Sequence, residues 1–246
     1  MTRKPLLRHA LAAGALAMLA GTATAHGIEA EAGNAASADF DIVAAAITTE
    51  GTIATFTMGV AGTPGATAPE PAGALAGAPV FSYVWPTSLD PAVVGFAPGA
   101  GILAFAVTIH PDFDDTPLFD EDGSNDTGDD GGRWHSHWVV LGPDEACGPG
   151  ALKVVDIPEG EAPPLPPTWP GLPILIDSPG WSPVFADRTV SVRVPFGDIG
   201  AVAGARFDGV SAALRVDANI HAPLLCVSDV FDTASGDLSL PGTIGE

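Results

Sequence analysis

The chain has 246 residues, 46% of them hydrophobic, with 30 glycines, 24 prolines and 30 acidic against nine basic residues, for a net charge of −21. So few basic groups cannot neutralise a phosphate backbone, which excludes nucleic-acid binding, and an anionic membrane surface is disfavoured for the same reason. The apolar content is too high for a chain disordered throughout.

In chain order, Arg3, Lys4 and Arg8 come first, followed by an apolar run over residues 10–20 and then Ala23-Thr24-Ala25. This is the pattern of a secretory signal peptide over residues 1–25, with an apolar stretch too short to span a bilayer. Its removal leaves a single domain, 26–246, with six basic and 30 acidic residues and a net charge of −24. The expected location is periplasmic or secreted, with no membrane anchor. Residues 27–38, small and polar, read as a flexible linker.

Glycine and proline recur too often for long helices, and period-two alternation dominates. Strands are predicted over Phe40–Ile47 and Ile53–Val60, joined as a hairpin around Glu50-Gly51, and over Val80–Trp85, Ile102–Ile109 and Trp134–Leu141. Further strands are predicted over Ala151–Ile157, Thr189–Phe196, Val210–Val216 and Leu224–Phe231. Nine short strands separated by turn residues predict an all-β fold: an antiparallel β-sandwich, immunoglobulin-like or jelly-roll-like, with a β-barrel as the alternative. Three loops interrupt it: 62–79, rich in Ala, Gly and Pro; 111–132, with nine acidic residues; and 158–173, with seven prolines. The two cysteines, Cys147 and Cys226, are expected to pair, as is usual in an exported protein.

Histidine is scarce after residue 25: His26, His110, His135, His137 and His221. His135 and His137 lie in Trp134-His135-Ser136-His137-Trp138, and residues two apart on a strand project from one face. Two imidazoles so placed suit Zn, Cu, Fe or Ni but require a further ligand. His110, at the end of the preceding strand, and His221, just before the last one, are the candidates. Trp134 and Trp138 share the opposite face and belong to the core, whereas Trp169 and Trp181, in and just beyond the proline-rich segment, are the better candidates for exposure.

Cleavage after Ala25 would make His26 the first residue, its α-amino group and imidazole able to chelate one ion. Over His26 and Gly27 alone, the chain resembles lytic polysaccharide monooxygenases, and a leading histidine is also similar to small periplasmic copper carriers. That resemblance implies a copper ion at a histidine brace. The acidic loop is a candidate Ca²⁺ site, although Asp120, Asp122 and Ser124 are followed by Asn125 where an EF-hand needs Gly.

These features point to an exported, disulfide-bonded metal-binding protein holding copper first and zinc second at His135, His137, His110 and His221, with His26 as a further ligand. The alternatives are a secreted metalloenzyme, copper oxidative or zinc hydrolytic, and a calcium-dependent carbohydrate-binding or adhesion module. The expected partner is a metal ion; any carbohydrate or protein partner is left open.

Overall fold

The computed structural model of the chain describes residues 25–217 and 224–246. The expected signal peptide, all but its last residue, and His221 lie outside the described residues. The architecture is antiparallel all-β, built from β1 (Ile28–Glu29), β2 (Ile42–Glu50), β3 (Ile53–Val60), β4 (Pro79–Pro86), β5 (Ile102–Ile109), β6 (His135–Pro143) and β7 (Leu152–Val154), followed by β8 (Ile176–Asp177), β9 (Val184–Ala186), β10 (Thr189–Pro195), β11 (Arg206–Phe207), β12 (Val210–Val216), β13 (Leu225–Thr233) and β14 (Gly242–Thr243). Among the described residues, no helix is long and apolar enough to cross a membrane.

The hairpin β2–β3 forms where alternation predicts it. Gly51 sits in its turn at φ 60°, a left-handed conformation that glycine adopts without steric cost. This hairpin and β10 are the centre of a five-stranded sheet in the order β1-β2-β3-β10-β9. A second set of strands, in the order β5-β4-β12-β13-β7-β6, closes on itself through β5–β6 pairing to make a six-stranded barrel, and β8 continues the β6 edge that β7 occupies. The barrel alternative is therefore realised, and the five-stranded sheet packs on one wall of it as in a sandwich.

Alternation decides which side chains go where. On β5, Leu103, Phe105 and Val107 point out of the barrel into the layer shared with the five-stranded sheet. There Phe56 lies 4.7 Å from Phe105 and 5.7 Å from Trp138, centroid to centroid. Each such buried aromatic contributes roughly 1.5–3 kcal/mol from water exclusion. Ala104 and Ala106, one residue out of phase, point into the barrel with Val139, Leu141, Val210 and Leu214. One strand face thus supplies the main core, and the other lines the barrel.

The linker expected over residues 27–38 is instead held in place. His26 exchanges two backbone hydrogen bonds with Thr243, and Ile28–Glu29 pair with β2. The buried Asp41 carboxylate accepts from the backbone N–H groups of Gly33, Asn34 and Ala35. This segment is too short and too polar to bury a core of its own; a distant strand and one carboxylate order it. Trp169 and Trp181 are also not free on the surface. Both are half-buried, Trp169 against the barrel interior cluster and Trp181 against the main core, because the proline-rich segment and the stretch beyond it are laid over apolar faces. Cys147 and Cys226 form a disulfide that ties the turn after β6 to β13.

Candidate metal centre

His135 and His137 sit on β6 in phase with Val139 and Leu141, so both rings enter the barrel while Ser136 and Trp138 face outward. His110 follows β5, the neighbour of β6, and Thr108 of β5 stands opposite His135. The acidic loop between these strands folds over that end of the barrel and inserts Asp115. All four side chains are buried.

His110 Nε2 lies 2.9 Å from His135 Nε2. Asp115 Oδ1 lies 3.1 Å from His110 Nε2, 3.1 Å from His135 Nε2 and 3.3 Å from His137 Nε2. Donor atoms on a tetrahedral zinc ion, with bonds of about 2.0–2.1 Å, stand about 3.3 Å apart. The four atoms therefore have the compactness of a first coordination sphere, and this group could hold a metal ion.

The opposite nitrogens determine the tautomers. His110 Nδ1 is 2.9 Å from the Phe113 carbonyl and His135 Nδ1 is 2.8 Å from the Arg133 carbonyl; both must donate, because a carbonyl only accepts. Ser178 gives its hydroxyl hydrogen to the Asp115 carbonyl at 2.7 Å, so at 3.1 Å it accepts from His137 Nδ1. With every Nδ1 protonated, the neutral rings present three Nε2 lone pairs and one carboxylate oxygen to a common point. Ligating histidines are held by outer partners in this manner.

Burial pushes His135 down to about 4. Burial also opposes charge on His110, but the Asp115 carboxylate outweighs it and holds that imidazole above its usual range. Burial raises Asp115 in turn, and the neighbouring His137 and His110 more than reverse this, leaving its carboxyl well below the usual range. One proton on His110 can be directed at His135 or at Asp115. It cannot also serve His137, whose Nε2 is buried without a hydrogen-bond partner among the described residues. A single cation at the centre would satisfy all four.

Of the sequence-predicted residues, His110, His135 and His137 come together, and His221 lies outside the described residues. His26 is exposed on the pairing with Thr243 and is not part of the group. Asp115 was not singled out from sequence. Its signal was diluted among nine acids in one loop, and only its position five residues after His110 set it apart. In the same loop, Asp120, Asp122 and Asp130 form a second acidic group. Their oxygens, however, cap the loop's own backbone: Asp120 accepts from Gly123, Ser124 and Asn125, and the buried Asp130 from Glu121 and Asp122.

A cavity of about 220 Å³ fills the barrel below the centre, with His110, Asp115 and His137 on its wall. Comparisons with protein-family models, curated proteins and solved structures find no match to this chain. Fold and geometry alone define it as a small β-barrel protein with a buried His/Asp cluster suited to a metal ion.

Proposed function

We propose that this is an exported metal-binding protein whose centre of His110, Asp115, His135 and His137 holds one zinc ion. The observation that carries the reading is the convergence of one carboxylate oxygen and three Nε2 atoms, with the outer partner of every ring on its Nδ1 side. A donor set of three imidazoles and one oxygen, compact and without sulfur, suits zinc. Copper, favoured from sequence through His26, loses that support because His26 stands apart; it stays the competing occupant, since Cu²⁺ binds imidazole more tightly than Zn²⁺. The signal pattern of residues 1–25 and the disulfide support export.

Metal analysis of the full chain, secreted from an export-competent host, tests this. One zinc per chain is expected in the protein as isolated, and less than a tenth of that in the folded double variant His135→Ala, His137→Ala. Equal zinc and copper contents in the two proteins would overturn the metal centre, and copper in place of zinc would overturn the choice of ion. N-terminal sequencing starting at His26 would establish processing.

A further inference from the structure

The register of the barrel places a void beside the centre. Reading across four paired strands, Val210, Val84, Ala106 and His137 stand in one row, and Ala212, Ser82, Thr108 and His135 in the next. Residues opposite each other in antiparallel pairs share a face. Both rows thus run from β12 to the histidines; Ala106 and Thr108 stand next to the rings, and Ser82 lies one strand further. Six strands make a narrow barrel that ordinary side chains would fill. The small residues of these rows are what leave about 220 Å³ open. An unfilled cavity destabilises a fold in proportion to its volume, and an apolar one of about 150 Å³ stays dry and admits benzene.

The two ends of this space differ. The acidic loop closes the histidine end, whereas Ile102, Val230 and Leu238 line the other end and are 41%, 47% and 44% exposed. Large aliphatic side chains held in water at the mouth of an apolar cavity suit the passage of an apolar molecule. At the inner end, three neutral imidazoles, Asp115 and a divalent ion carry a net charge of +1 in a buried setting, which an anionic group would cancel. Thr108 Oγ1 lies 3.2 Å from His135 Nε2. Once a cation occupies that lone pair, the hydroxyl hydrogen must find another acceptor.

From this we infer that the barrel is a binding site for a small monocarboxylate with an apolar tail. The tail fills the space lined by Val84, Ala106, Val210 and Ala212, and the carboxylate meets the metal and accepts from Thr108. The inference rests on the metal centre proposed above and adds a ligand class to it.

Octanoate binding to the zinc-loaded full chain tests it by calorimetry, after zinc stoichiometry has been measured. Octanoate should bind at least about tenfold more tightly to the zinc-loaded than to the metal-free protein, and at least about tenfold more tightly than 1-octanol. With Co²⁺ in place of zinc, octanoate should change the visible d–d spectrum, reporting a new ligand on the ion. Ala212→Phe, which fills the cavity away from the metal, should keep one zinc per chain and lose octanoate binding; Val210→Trp, nearer the mouth, serves if that variant does not fold. One zinc per chain with no octanoate binding would overturn the ligand and leave the metal centre standing. Equal binding with and without zinc, or equal binding of 1-octanol, would overturn the coordinated carboxylate. Failure to bind zinc would overturn the metal reading itself.

Discussion

His110 Nε2 and His135 Nε2 lie 2.9 Å apart, and the opposite nitrogen of each ring is directed at a main-chain carbonyl. Those two Nε2 atoms need either a proton or a metal ion between them, so a cation can replace the proton there. Adding zinc to metal-stripped protein should therefore raise the melting temperature. At a free zinc concentration one hundred times Kd, binding contributes about 2.7 kcal/mol, or roughly 5–10 °C for a domain of this size. Differential scanning fluorimetry checks this, and Asp115→Ala should abolish the rise.

Ser178 touches no metal in this scheme, yet its hydroxyl joins His137 Nδ1 to the Asp115 carbonyl. Ser178→Ala frees both the ring and the loop. Losing an orienting group of this kind weakens metal affinity by about 10–100-fold. Zinc competition against a chelator of known affinity would measure it, with circular dichroism showing the β fold retained.

Gly131 has no room for a side chain. A Cβ there would sit 1.7 Å from the Phe113 carbonyl oxygen and 2.7 Å from that of His110. Because the Phe113 carbonyl orients His110, Gly131→Ala should displace the acidic loop and weaken zinc binding by about tenfold or more, comparable to loss of an orienting group. The same chelator competition reads the effect. Gly132→Ala, next in the chain with open space around its Cβ position, is the matched control.

The bridge between Cys147 and Cys226 closes a separation of 79 residues. Constraining a loop of that length in the unfolded chain is worth about 4–5 kcal/mol. The double variant Cys147→Ser, Cys226→Ser should lose most of this in urea unfolding, and reduction of the wild-type protein should reproduce the loss.

Asp41 links the amino-terminal segment to the core, and its protonation should show in stability. Burial raises its carboxyl, but the three backbone donors of residues 33–35 outweigh burial and hold it below the usual range. A carboxyl with a depressed folded value contributes stability above its unfolded value near 4, and that contribution is lost as pH falls through the folded value. Asp41→Asn should thus cost about 2 kcal/mol at pH 7, of the order of hydrogen bonds to a charged group, and progressively less below about pH 4. Urea unfolding at pH 7 and pH 3 would check the difference.

Alternation made the longer strands legible. β3, β4, β5, β6, β10, β12 and β13 each fall within two residues of their predicted bounds, and β2 ends three residues beyond its own, since one buried face per strand imposes period two. The short strands β1, β8, β9, β11 and β14 were not legible. They have two or three residues apiece, too few to show a period, and exist because a longer neighbour supplies their hydrogen bonds. At the centre, the shared face of His135 and His137 and the nearness of His110 could be read from spacing and strand order. Asp115 could not, since nine acids in one loop look alike until the loop has a path.

By itself the sequence determined the class of fold, the pairing of the cysteines and the common direction of two histidines, because each follows from local periodicity or from a count. Tertiary structure alone decided that the strands close into a barrel, that one carboxylate of the acidic loop faces three imidazoles, and that His26 is tied elsewhere. These depend on which distant segments meet, and long-range pairing is a property of the packed chain that no local window contains.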